Sequence, residues 1–295
     1  MTEIFGYPLP VILGQLMLGL VNGSFYAMLS LGLAVIFGLL GVVNFAHGAF
    51  YMLGAYAAYL GLEIFGINYW LALVLSPLVI GTLGIVLERL LLRRLYQLDP
   101  LYGLLLTFGL ALIGEGVMRY YFGSSGQNYP PPAGLQGVFH LGFMILPVYR
   151  GWVILASLVI CFTTWFVIER TRLGSTLRAA TENPHLVQAF GTNVPLIVMA
   201  TYGAGIGLAA LAGVLAAPVV QITPLMGSSL VIVVFAVVVI GGMGSILGAI
   251  VSGLVLGMVE GLTKVIYPEA SNVVVFLIMV VVLIWRPAGL FGRTA

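Results

Sequence analysis

The sequence predicts an all-α fold, a polytopic bundle of transmembrane helices. Of its 295 residues, 61% are apolar and only 7% are charged, whereas soluble domains average about 25% charged residues. Apolar stretches of about 20 residues, the length that crosses a hydrocarbon layer ~30 Å thick, recur along the chain. The 39 glycines suit helices that pack closely in lipid. A β-barrel is not expected, because the apolar runs are continuous and do not alternate in segments of about 10 residues.

Nine apolar segments are predicted, and eight to ten spans are compatible with the sequence. The first segment is long enough for one tilted helix or two shorter pieces. Turn signals such as Asp99-Pro100 and Tyr267-Pro268, and a proline-rich stretch from Ser124 to Gly134, punctuate the rest. The segments cover 10–42, 44–61, 69–88, 101–121, 150–168, 195–217, 227–246, 248–266 and 271–286.

Three arginine clusters indicate the orientation, because cytoplasmic loops of membrane proteins retain Lys and Arg. Two predicted spans separate the first cluster from the second, and four separate the second from the third, so all three fall on one face, which we assign to the cytoplasm. The absence of Lys or Arg before residue 89 favours an external N-terminus and nine spans, and ten spans with an internal N-terminus remain open. The clusters are Arg89, Arg93 and Arg94, then Arg170, Arg172 and Arg178, then Arg286 and Arg293.

The N-terminal residues, the single cysteine and the net charge indicate no cleaved signal peptide, disulfide or nucleic-acid partner. The first ten residues lack the basic region of a cleavable signal peptide, so the first apolar run is expected to be retained. Cys161 has no partner for a disulfide and is expected to be a small buried apolar residue. A net charge of +2 gives no indication of nucleic-acid binding.

The longest polar stretch on the predicted cytoplasmic face is 170–193. We expect Ser175 to cap a short helix that runs through Ala180, and Asn183-Pro184 to end or kink it. His185 to Phe190 would then form a second amphipathic turn. Such a helix on the membrane face would offer polar groups to a cytoplasmic partner, and a solvated connecting loop is the alternative.

Two pairs of opposite charges fall inside predicted spans, where a charge costs at least ~2.5 kcal/mol. Glu115 and Arg119 are four residues apart, as are Glu260 and Lys264, so each pair shares a helix face. Each could be a structural pair that extends toward the membrane surface, part of a substrate gate, or a proton-coupling group.

Polar side chains at the start of a span could line a transport route. Asn44 and His47 stand where free backbone N–H groups at a helix start would suit a carboxylate, although a hydrogen-bonded interior histidine is the commoner case for a residue such as His47. The other polar candidates in or beside spans are Asn22, Ser24, Tyr26, Gln221 and Thr223.

Catalytic and nucleotide-binding patterns are missing from the sequence. It contains no His-Glu-x-x-His, no Gly-x-Ser-x-Gly and no cysteine pair, so we expect neither an enzyme nor a metal or cofactor site. A phosphate-binding loop needs a lysine followed by Ser or Thr, but the one lysine, Lys264, precedes Val265. If ATP drives this protein, another polypeptide must bind it.

A weak internal repeat relates residues 41–49 to 241–249 and residues 115–119 to 260–264. Gly41, Gly48 and Ala49 recur 200 residues later as Gly241, Gly248 and Ala249, and Glu115-Gly116-x-x-Arg119 resembles Glu260-Gly261-x-x-Lys264. Internal repeats are common in transporters, although chance similarity in a glycine-rich chain is the alternative.

Four segments carry a family resemblance. They are Glu182-Asn183 with Gly191-Thr192-Asn193, the run GVVNFAHGAFYMLGAY at 41–56, the run IGGMGSILGAIVSG at 240–253, and Trp285-Arg286-Pro287-x-Gly289-Leu290-Phe291. In order and spacing they resemble permeases of ATP-binding-cassette importers for branched-chain amino acids, and the chain is similar to the shorter of the two permease subunits.

The resemblance implies a single permease domain over 1–295 in the inner membrane, with 170–193 as the segment that couples it to an ATPase. It implies a second homologous permease, two cytoplasmic ATPase subunits and a periplasmic binding protein as partners. An ion-gradient-driven carrier that uses Glu115 and Glu260 is the alternative. The choice among leucine, isoleucine, valine and small amides or urea stays open. The implied coupling residues are Arg172, Gly174, Arg178, Glu182, Asn183 and Gly191.

Overall fold

The computed structural model describes residues 3–4, 6–96 and 98–292, so the predicted cytoplasmic Arg293 lies outside the described residues. Two short hairpins, β1 (Glu3–Ile4) with β2 (Tyr7–Pro8) and β3 (Val138–His140) with β4 (Ile145–Pro147), accompany a helical chain. The helices are α1 (Leu9–Leu40), α2 (His47–Phe65), α3 (Tyr69–Leu90), α4 (Pro100–Phe122), α5 (Val148–Arg170), α6 (Arg172–Glu182), α7 (Pro184–Ala189), α8 (Val194–Ala216), α9 (Ser228–Gly241), α10 (Ile246–Ile266) and α11 (Val274–Trp285).

The predicted all-α membrane bundle is confirmed. Each predicted apolar segment corresponds to one helix in the described part of the chain, and seven of these helices are long and apolar enough to cross a membrane. The other two, α9 and α11, are shorter, so nine is the number of apolar helices and not of full-length spans. The first segment forms one helix of 32 residues, which is about 48 Å long at a rise of 1.5 Å per residue.

Helix α1 lies at the centre and packs against α10, α8, α5 and α9. Its antiparallel contact with α10 depends on glycine: a Cβ on Gly19 would lie 2.6 Å from Gly257 O, and a Cβ on Gly253 would lie 2.6 Å from Ala27 Cα. Ser30 Oγ also donates to Ala249 O at 3.2 Å. Small residues allow such close approach between helices in lipid, where dispersion and hydrogen bonding drive association.

Helix α8 makes a second set of close contacts. Gly203 lies against Gly81 of α3, and Ala210 lies against Gly54 of α2. A cluster of three aromatic residues joins the start of α3 to the start of α5. Tyr149 OH donates to Tyr69 OH at 2.9 Å and Trp152 Nε1 donates to the same oxygen at 3.0 Å.

Two connections run back into the bundle instead of staying at its surface. Residues 41–46 return along α1, so that α2 begins at His47 with its imidazole beside Leu29. Residues 217–227 lead from α8 to the start of α9, and Gly227 lies in backbone contact with Gly48. The predicted segment 44–61 therefore starts too early. The predicted segment 227–246 extends too far, because Gly242 at φ 102° ends α9.

Long-range contacts place the helix ends on two faces. Gly38 at the end of α1 contacts Gly244, and Gly242 contacts Gly292, so the α9–α10 turn and the chain's last described residues share one face with the end of α1. The ends of α3 and α5 lie on this face beside α6 and the start of α8. We call it the arginine face, because Arg89, Arg170 and Arg286 lie on it.

Candidate coupling segment and polar sites in the bundle

The segment after α5 forms two short helices, α6 and α7, with the break at Asn183 that the sequence predicts. The Asn183 side chain accepts a hydrogen bond from Leu186 N at 3.1 Å and so caps α7. The prediction that Ser175 caps α6 is wrong. The N-cap is Thr171, four residues earlier, and Ser175 Oγ donates to Arg172 O within the first turn.

Two of the predicted coupling residues attach α6 to α5. A Cβ on Gly174 would overlap Ile168 O, so no larger residue fits between the helices as they stand. Arg178 Nη1 donates to Ile168 O at 2.8 Å and lies 3.4 Å from the Glu169 carboxylate. Ile168 O is one of the last four carbonyls of α5, which have no partner within the helix and attract a cation. Gly174 and Arg178 therefore hold the segment in place.

The remaining predicted coupling residues are exposed and make no contact that attaches α6 to α5 among the described residues. Arg172, Glu182, Asn183 and Gly191 are exposed, and Gly191 forms the turn after α7 at φ 82°. Sequence reasoning included Phe190 in this segment but did not single it out, and the structure shows it to be 81% exposed. Its position at the end of an amphipathic turn on the arginine face was the available signal. An exposed aromatic side chain of this kind is a typical interface residue.

The predicted Glu260–Lys264 pair is present inside the bundle. Lys264 Nζ donates to Glu260 Oε1 at 2.6 Å, and Tyr26 OH on α1 donates to the other carboxylate oxygen at 2.6 Å. Glu260 is buried whereas Lys264 is partly exposed. Of the other candidates on α1, Ser24 is buried and donates to Leu20 O of its own helix, and Asn22 is partly buried.

The predicted Glu115–Arg119 pair does not form. Both residues lie on α4, but among the described residues neither makes an ion pair. Glu115 is half-buried and Arg119 is exposed. Their spacing is suitable, but α4 is among the least buried helices, and the exposed Arg119 side chain is not held against Glu115.

Asn44 and His47 lie fully inside the bundle, where α2 and α9 begin. His47 Nε2 lies 3.0 Å from Leu29 O, but its Nδ1 and both polar atoms of the Asn44 amide have no hydrogen-bond partner among the described residues. A buried polar group without a partner costs about 1–3 kcal/mol. Gln221 and Thr223 flank Ile222, whose backbone pairs with Gln127 of the loop after α4: Gln221 is exposed beside Gly126 and Thr223 is partly buried.

Sequence reasoning missed Glu88, a buried carboxylate at the end of α3. It accepts a hydrogen bond from Tyr96 OH at 2.9 Å. Burial, followed by the neighbouring Glu88 charge, raises the pKa of the Tyr96 hydroxyl, so it stays protonated and remains a donor. A glutamate directly before Arg89 in an apolar helix was the signal. In the part of the chain that the structure describes, no group of three His, Cys, Asp or Glu could hold a metal ion.

Comparison with known proteins agrees with this architecture. The family model described as "Branched-chain amino acid transport system / permease component" matches residues 15–283. The high-affinity branched-chain amino acid transport system permease protein BraD of Pseudomonas aeruginosa is 30% identical over 99% of this chain and 98% of its own length. The permease protein LivH of Escherichia coli K12 is 28% identical over the same shares.

A differently named permease is also similar. The high-affinity branched-chain amino acid transport system permease protein LivM of Salmonella typhimurium is 28% identical over 91% of this chain and 68% of its own length. No solved structure matches the chain. With its long apolar helices, this is a multi-pass membrane protein. The chain belongs to the family of permease components of branched-chain amino acid transport systems.

Proposed function

We propose that the chain is a permease subunit of an ATP-driven importer of leucine, isoleucine and valine in a bacterial-type inner membrane. The observation that carries the proposal is segment 170–193, which is attached to α5 through Gly174 and Arg178 while Phe190 and Glu182 face outward. A segment attached in this way transmits movement of a docked partner to the span behind it.

The proposed partners follow from this arrangement and from the family. Two ATPase subunits dock on the arginine face, which we assign to the cytoplasm by its positive charge. A second homologous permease completes the membrane part, and two differently named permeases, LivH and LivM, occur among the relatives. A periplasmic binding protein delivers the amino acid to the opposite face.

The proposed route passes the start of α2 and alternates between outward and inward access. Asn44 and His47 are polar groups at that depth that lack hydrogen-bond partners among the described residues, and the Gly48–Gly227 backbone contact closes the bundle beside them. The alternative of a carrier driven by an ion gradient gains no support at Glu260, whose carboxylate is already engaged by Lys264 and Tyr26.

The test uses the complete transporter in proteoliposomes with ATP inside. Uptake of labelled leucine should require ATP and should survive an uncoupler. Uptake that fails with the uncoupler while ATP is maintained would mean a gradient-coupled carrier.

Phe190→Ala tests the coupling segment. The side chain is 81% exposed, so its removal should leave the fold intact, and loss of an aromatic anchor of about 1.4 kcal/mol or more weakens ATPase association about tenfold or more. Phe65→Ala is the matched control, because Phe65 is 76% exposed at the end of α2 on the opposite face. Equal ATPase association of the two variants would contradict the proposed docking site.

A further inference from the structure

An apolar cleft of about 750 Å³ lies between α3, α5 and α8, and α6 closes it at the arginine face. Its floor is α8, where side chains are small, and larger apolar side chains of α3 and α5 form the walls. Gly203 and Gly207 let α8 lie directly against α3, and the exposed Ala200 and Ala204 beside them border space that α3 and α5 do not fill. The floor residues are Ala200, Gly203, Ala204 and Gly207.

The cleft opens sideways, toward the region that lipid occupies around a membrane protein. Leu78 on one wall is 59% exposed and Val167 on the other is 37% exposed. The cleft also contains five threonines. The hydroxyl groups of Thr82, Thr176 and Thr201 add little polarity, because each donates to a carbonyl of its own helix, so Thr163 and Thr164 on α5 carry the other hydroxyl groups of the lining. Such a cleft suits a hydrocarbon chain and offers water few partners.

One free cation stands at the arginine-face end of the cleft. The Arg172 side chain lines the cleft, is exposed, and makes no ion pair or side-chain hydrogen bond with any residue that the structure describes. In contrast, Arg178 is bound to Ile168 and Glu169, and Arg170 lies 5.7 Å from the Trp165 ring centroid. A guanidinium group binds phosphate through paired N–H donors.

We propose that this cleft binds an anionic phospholipid, with one acyl chain between α3 and α5 and the phosphate on Arg172. Basic pockets between transmembrane helices at the cytoplasmic side bind anionic headgroups in this way. The lipid would also contact Leu173 and Leu177 of α6. It would therefore steady the segment that docks the ATPase, a consequence that rests on the proposed function, whereas the binding itself does not.

Native mass spectrometry of the purified complex tests the binding. After delipidation, equal amounts of phosphatidylglycerol and phosphatidylethanolamine of the same acyl chains are added, and the lipids retained are counted. We expect about tenfold preference for phosphatidylglycerol, which Arg172→Gln abolishes. Arg150→Gln is the matched control, because Arg150 lies at the opposite end of α5, and it should keep the preference.

A second variant tests the place of the acyl chain. Ala204→Phe puts a large side chain into the cleft from an exposed position that tolerates it, and it should remove retention of both lipids. Three results would each overturn the proposal. The unmodified complex could retain the two lipids equally, the preference could survive Arg172→Gln, or Ala204→Phe could still retain lipid. Retention of the lipid by the isolated chain but not by the complex would also overturn it and would make the cleft a contact between permeases. None of these readouts requires transport.

Discussion

The close contact between α1 and α10 allows a quantitative test through Gly253→Ala. A Cβ at this position would lie 2.6 Å from Ala27 Cα, whereas ordinary contact begins at 3.4 Å. Because the obstructing atoms belong to the backbone of α1, no side chain can rotate away, and the helices must separate by roughly 0.8 Å. Overpacking of this kind costs about 1–3 kcal/mol. It is partly offset by the gain of about 0.5–1 kcal/mol when alanine replaces glycine within a helix.

Gly116→Ala is the matched control, because Gly116 lies within α4 and a Cβ added there meets no atom within 4 Å. The gain in helix propensity is common to both variants, so their difference isolates the steric term. The free energy of unfolding, measured by titration with sodium dodecyl sulfate from mixed micelles, should be about 1–3 kcal/mol lower for Gly253→Ala than for Gly116→Ala. A difference below about 0.5 kcal/mol, the usual range of surface substitutions, would refute the reasoning from close packing.

Two further predictions concern buried polar contacts and use the same titration. Glu260→Leu should lower the free energy of unfolding by about 3 kcal/mol, because it leaves Tyr26 OH and the Lys264 ammonium without their acceptor. Glu260→Gln should lower it less, because the amide keeps an acceptor oxygen. Equal losses for the two variants would contradict this prediction. Tyr69→Phe removes the acceptor of two hydrogen bonds and should lower the free energy of unfolding by about 1–3 kcal/mol. The control Tyr120→Phe, at an 84% exposed residue, should leave it unchanged. An unchanged free energy for Tyr69→Phe would show that these bonds add no stability.

Much of the fold could be predicted because it depends on local sequence. An apolar run in lipid must form a helix to satisfy its own backbone, so the segments from 69–88 to 195–217 correspond to helices within a few residues. The returning connections at 41–46 and 217–227 were not predicted. Their residues are as apolar as those of a span, and tertiary contacts keep them in place. Among these are Phe45 N with Thr107 Oγ1, Gly227 with Gly48, and the backbone pairing of Ile222 with Gln127.

The candidate sites were predicted in part. The i,i+4 spacing identified both charged pairs, but whether a pair forms depends on what packs beside it. Tyr26 of α1 lies beside Glu260, whereas α4 leaves Glu115 without a comparable neighbour. Likewise, 170–193 was recognised as one segment, but the division between Arg178 facing inward and Phe190 facing outward was not visible.

By itself, the sequence determined that this protein lies in a membrane, is helical and resembles a permease, because composition and motif order do not depend on how helices pack. Only the tertiary structure decided which polar groups meet. Tyr26 and Glu260 are 234 positions apart, and helix periodicity gives each residue a face without stating what lies opposite. The same holds for the apolar cleft, which exists because α3 and α5 leave Ala200 and Ala204 of α8 uncovered.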